Sequence, residues 1–266
     1  MIFQQDSARR ARLSNLSLSE IETYLSTNQS IIIPLGGLEP FGVSGAIGIP
    51  GMCSDALAVE IAVTCNSLTA PLLPFASSPL FRSFPGCVSL GSSGYENVLS
   101  YLCRGFLYQG FKRVLLLHSA LMPDDTLTGV LKRMEHYKND GIIKLYSWKK
   151  DMRIIEFLKK ESAASELERQ ETGLLSLAAF IEPQSPGSSV FSGASGDIKQ
   201  AQYRTWRKRG ADPEKFKKLF PTGLTSKKDT VQPSSDLGNR LFQYILNCMI
   251  SDYSDFLKPD SVDVSK

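Results

Sequence analysis

Two apolar runs restrict the folding of this chain more than any other feature. Ile31-Ile32-Ile33-Pro34-Leu35 and Val114-Leu115-Leu116-Leu117 carry no polar residue at alternate positions. A strand with one wet face alternates apolar and polar side chains, so a run without alternation is covered on both faces. Strands of this kind sit inside parallel sheets, and parallel neighbours are joined by crossovers that are usually helical.

Helical patterns lie between the runs. Ser17 and Glu20 have capping-box spacing, which predicts a helix over 17–26 with Leu18, Ile21 and Leu25 buried. The glycines and prolines from Pro40 to Cys53 read as a loop, after which Ser54 caps a helix with Asp55 in its first turn. Leu72-Leu73-Pro74-Phe75 reads as a short extended segment. Ser93 and Glu96 suggest a second box, opening a helix that stops at Gly110. A helix at 126–137, a strand at 141–147 and helices at 151–160 and 171–180 follow. Beyond a Pro/Gly loop at 182–196 come a basic helix near 198–209 and a terminal helix from Asp236 to Met249. Leu237, Leu241, Phe242, Ile245 and Leu246 form the apolar face of that terminal helix. This succession predicts a layered α/β fold. No repeat or compositional break divides residues 1–266, so one domain is expected.

Composition excludes several classes. A net charge of +3 is too small to imply nucleic-acid binding. The basic stretch Arg204, Arg207, Lys208, Arg209, Lys215, Lys217 and Lys218 reads as a solvated helical surface. Five cysteines without a CxxC pair exclude a zinc ribbon and a thioredoxin-like motif. No apolar run is long enough to span a membrane, and no leader pattern follows Met1. A reduced, cytoplasmic protein with neither nucleic-acid nor membrane partners is expected.

Ligands of parallel α/β folds bind at the carboxyl ends of strands. One such end leads into Gly37-Leu38-Glu39-Pro40-Phe41-Gly42 and another into His118-Ser119-Ala120. Glu39, Asp55 and His118 are therefore candidate site residues, each with a structural alternative as loop carboxylate, helix-start residue or strand-end hydrogen-bond partner. His136 lies among lysines and glutamates and is expected at the surface. Cys53 reads as a buried, inert thiol rather than a nucleophile paired with His118.

Several segments resemble the creatininase family, in order along residues 17–210. They are Ile32 to Gly42, Ile49 to Asp55, Phe84-Pro85-Gly86-Cys87, Gly110 to Leu117, Glu171-Thr172-Gly173, and Gly193-Ala194-Ser195-Gly196-Asp197. The resemblance implies a three-layer α/β/α sandwich with a mostly parallel central sheet. It also implies hydrolysis of amide-type C–N bonds, two divalent metals and a homo-oligomer, typically a hexamer. By position, Glu39 and Asp55 match metal-ligand carboxylates, and Glu171 matches an active-site glutamate.

The sequence departs from the family where histidines are expected. Phe41, Phe81, Ala120 and Glu166 occupy such positions, with Leu121 and Met122 beside Ala120. Phenylalanine and alanine offer a divalent ion no lone pair. The motifs therefore predict no cofactor, or at most weak residual zinc or manganese binding. Three readings follow. In the first, a divergent enzyme acts on an amide, lactam or related C–N bond, by hydrolysis or biosynthetic cyclisation, without the usual metals. Glu39 and Glu171 form its acid/base pair, Asp55 holds local charge and His118 orients substrate or shuttles a proton. The second is a non-catalytic subunit, scaffold or small-ligand binder. The third is a one-metal hydrolase that recruits His118.

Overall fold

The computed structural model describes residues 5–42, 44–120, 125–184, 212–224 and 233–258. Four strands form one sheet: β1 (Ser30–Leu35), β2 (Leu68–Thr69), β3 (Arg113–His118) and β4 (Ile142–Ser147), in the order β2-β1-β3-β4. Every pairing is parallel, with Ile32 opposite Leu115, and Leu115 opposite Lys144. The two unalternating runs are the central pair β1 and β3, buried at every residue, as expected from the absence of a wet face. Leu73 extends the β2 side, accepting from the Gly36 amide at 2.9 Å.

The helices are α1 (Gln5–Ala11), α2 (Leu18–Thr27), α3 (Ile49–Cys65), α4 (Gly91–Tyr108), α5 (Asp125–Met134), α6 (Met152–Glu161), α7 (Glu166–Ile181), α8 (Pro213–Leu219) and α9 (Ser235–Leu257). They cover both faces of the sheet, which makes the three layers. Ile32, Leu115, Leu117 and Tyr146 face a core shared with α3, α7 and α9. Ile31, Ile33, Val114 and Leu116 face a second core with α4 and α5, which Tyr24 and Leu25 of α2 also join. A smaller aromatic cluster of Phe81, Phe84, Phe216 and Phe220 sits apart. Among the described residues no helix is long and apolar enough to cross a membrane.

The capping box at Ser17 and Glu20 is present, but Leu18 is 72% exposed and contributes nothing to a stripe. Three helices start elsewhere than the sequence suggested. α3 begins at Ile49, so Ser54 and Asp55 lie in its second turn. Pro50 is accommodated in the first turn, where a missing amide hydrogen costs nothing. Gly51, read as part of a loop, is helical, and the chain after β1 passes against it. A methyl on Gly36 would lie 2.6 Å from Gly51 Cα. α4 begins at Gly91, and the second box does not form. Ser89 Oγ accepts the Gly91 amide instead, and Glu96 pairs with Arg133 of α5 at 3.1 Å. α7 begins at Glu166, with Ser165 and Glu168 as its capping box, so Glu171 lies inside the helix.

The terminal helix runs to Leu257, and Leu237, Leu241, Phe242, Ile245 and Leu246 are buried as expected. Its last carbonyl is held at the start of the sheet. Ser30 Oγ donates to Leu257 O at 2.6 Å and Asn28 Nδ2 donates to it at 3.3 Å. The basic helix expected near 198–209 lies outside the described residues, as does most of the loop at 182–196. Lys217, in α8, donates to Ser83 O at 2.7 Å.

Candidate functional site

The loop after β1 turns Glu39 inward, and its side chain is completely buried. Ser78 Oγ donates to Glu39 Oε1 at 3.2 Å. The carboxylate lies where the loops after β1 and β3 meet. A methyl on Gly37 would be 3.4 Å from both Glu39 Oε1 and Ala120 Cβ, and 3.5 Å from Ala76 Cβ. The Cys87 thiol is pushed up to about 11 by burial and then by the charge of Glu39.

His118 ends β3, in register with Leu35 on one side and Ser147 on the other, and is buried. Strand alternation puts it on the face of Val114 and Leu116, toward α4 and α5. Glu171 is also completely buried, but it belongs to α7, whose Leu174, Leu175 and Leu177 pack on the opposite face. The two residues thus approach the strand ends from different layers.

Asp55 is placed elsewhere. Both its oxygens accept from Arg12, at 2.8 and 2.6 Å, and the pair joins the segment after α1 to α3. The hydrogen bond to Asp55 is the main cause that holds the Arg12 guanidinium above its usual value. The neighbouring Ser54 is the residue that faces the sheet, donating to Leu35 O at 2.7 Å. Cys53 is inert core: its thiol is completely buried, and burial drives its pKa upward. His136 is exposed.

Sequence reasoning missed a third strand end. β4 runs into Trp148-Lys149-Lys150, and the Trp148 indole donates to Ser119 Oγ at 3.2 Å, tying the ends of β3 and β4 together. Lys149 is buried, and its carbonyl accepts from Gln170, the neighbour of Glu171, at 3.4 Å. The strand-end rule that selected His118 applies equally to this segment. Ser78 lies far along the chain from Glu39 and had no motif to mark it.

Three positions expected to hold metal ligands carry no donor. Phe41, Ala120 and Phe81 are buried apolar residues, and Phe81 packs edge-on against Phe84 and Phe216 at 6.1 and 5.8 Å. Asp55 is committed to Arg12. Among the described residues no three or more His, Cys, Asp or Glu side chains converge as a cation site.

The creatininase family profile, described as creatinine amidohydrolase, matches residues 14–250. No curated protein sequence matches the chain. Solved structures share the fold. A crystal structure of creatinine amidohydrolase (creatininase) is 17% identical and superposes with a TM-score of 0.72, covering 94% of this chain and 99% of that one. A putative creatinine amidohydrolase from Bacteroides fragilis is also 17% identical, with a TM-score of 0.73 over 96% of this chain and 99% of that one.

Two further matches, a manganese creatininase and a creatininase variant of Zn–Zn type, overturn the expectation of a chain without cofactor. The fold is one in which manganese and zinc are held. Lost histidines at Phe41 and Ala120 do not establish that this chain takes none. The expectation counted lone pairs only at motif positions, whereas a metal takes donors from wherever side chains converge.

Proposed function

We propose that this chain, which belongs to the creatininase family, acts on the amide-type C–N bond of a small molecule such as a lactam or related cyclic amide. The carrying observation is the complete burial of Glu39 and Glu171, at positions matching the family's acidic residues. Removing a carboxylate from water is costly, so two wholly buried carboxyl groups at matched positions support a chemical role. Glu39 and Glu171 form the acid/base pair: one takes a proton from the attacking water while the other gives one to the departing nitrogen. Run in reverse, the same pair closes a ring, as a biosynthetic cyclase would. His118 orients the substrate, and Trp148 and Ser119 fix the strand ends around it. Asp55 serves through its ion pair with Arg12 and takes no part in the chemistry. A cytoplasmic, homo-oligomeric and hexameric state belongs to the same proposal.

The test is turnover of creatinine and of five- and six-membered lactams by the purified full chain, with and without added manganese or zinc. The expected result is C–N cleavage that falls at least about a hundredfold in E39Q and in E171Q, on the scale of general acid–base catalysis, with melting temperatures retained. Undiminished turnover in both variants, or none on any substrate under any metal condition, overturns the reading.

The buried apolar residues Phe41, Phe81 and Ala120 favour a second reading, a non-catalytic binder of the same class of molecule. In that case creatinine or a lactam binds without being cleaved.

A further inference from the structure

A groove of about 580 Å³ opens at the opposite end of the sheet from the site just described. Lys112 directly precedes β3 and Asp140 lies just ahead of β4, so the groove sits at the amino ends of the strands. A six-residue strand separates these ends from Glu39 and His118 by about 20 Å. One wall is a stripe of α4 formed by Tyr101, Arg104 and Tyr108, whose spacing puts them on one helix face. Tyr137 faces them from the turn after α5.

Two features set this surface apart. Tyr101 is 70% exposed and Tyr108 94% exposed, so two aromatic rings on one stripe stand in water. The Arg104 guanidinium lies 5.0 Å from the Tyr137 ring centre and 5.9 Å from that of Tyr101. Among the described residues no carboxylate forms an ion pair with Arg104. Ring faces thus hold a planar fork of donors in place while leaving those donors unspent, the arrangement suited to phosphate or carboxylate. Lys112 adds a second cation, against Asp140 as the one acid among the described lining residues. The volume lies within the range of small-molecule sites, roughly 300–1,000 Å³.

We propose that this groove binds a small organic anion: a planar ring carrying a phosphate or carboxylate. The ring lies on Tyr101 and Tyr108, and the anionic group meets Arg104 and Lys112. The proposal is independent of the hydrolytic reading.

The experiment is calorimetric titration of the full chain with phenyl phosphate, alongside inorganic phosphate and phenol. Phenyl phosphate should saturate and bind at least about tenfold more tightly than either fragment, a difference within reach of one added contact. R104Q should weaken it about tenfold, on the scale of a lost charge-assisted bond, while R104K recovers part of the loss. E39Q should leave it unchanged. Because Arg104 is exposed, unchanged circular dichroism of the variants is expected and would be verified. Phenyl phosphate binding no tighter than inorganic phosphate, or equally to R104Q, overturns the proposal. So does much tighter binding of an oligoglutamate peptide, which assigns the groove to an acidic protein partner. Concentration-dependent self-association abolished by Y108A also overturns it, since the stripe then belongs to a second copy.

Discussion

Arg12 grips both carboxylate oxygens of Asp55 across 43 positions of sequence, so a residue matched to a metal ligand serves as half of an ion pair. Both side chains are partly exposed, and water screens the attraction. R12Q should therefore cost only about 0.5–1 kcal/mol in urea unfolding, with the loss shrinking as salt rises. Loss of turnover in R12Q at unchanged stability would mean that Asp55 has a chemical role after all.

Helices α7 and α9 touch backbone to backbone. A methyl on Gly238 would lie 1.9 Å from Ser176 O and 2.8 Å from Phe180 Cβ. G238A must push the two helices apart in a filled core, at a cost of about 1–3 kcal/mol. An unchanged urea midpoint would show that the contact is looser than the structure has it.

Burial alone would raise the Asp151 carboxyl. Hydrogen bonds from the side chain and backbone of Arg153, and from Tyr146, outweigh it and leave the group below its usual value. A carboxyl lowered in the folded state stabilises fully above its unfolded pKa and loses that contribution as pH falls through its folded one. The stability difference between the wild type and D151N should be constant above about pH 5 and shrink below about pH 4. Urea midpoints from pH 7 to pH 3 measure it, and a difference that grows in acid has the wrong sign.

All five cysteines are buried and free. Burial lifts the Cys87 thiol to about 11, with help from Glu39, and the Cys103 thiol to about 12. Native protein should react with a thiol reagent at neutral pH far more slowly than free cysteine, and all five should react in denaturant. Fast labelling of Cys53 in the native state would reopen its case as a nucleophile.

Strands β1 and β3 were legible because nothing polar interrupts them, and burial on both faces is a property of the run itself. Helix starts were less so. Pro50 and Gly51 look like breakers one residue at a time; the first turn tolerates one, and close approach to Gly36 calls for the other. Glu39 could be singled out from its strand end, but its partner Ser78 could not, since no local pattern joins them. The ion pair of Asp55 was not legible for the same reason: its partner is Arg12, which no motif includes. His118 and Glu171 were each marked by position, yet the layer from which each approaches follows from strand parity and helix packing. The metal expectation failed differently, by treating missing motif histidines as evidence about the whole cavity.

The hydroxyl of Ser30 and the amide of Asn28 close on a carbonyl 227 and 229 positions downstream. Contacts so distant form only after the entropy of closing a very long loop has been overcome, which slows the search for the native state. Until α9 is synthesised and docked, Asn28 and Ser30 can bond to Asn66 and Ser67 but not to this carbonyl, and a nascent chain would leave the entry to the first strand open to the solvent and to chaperones.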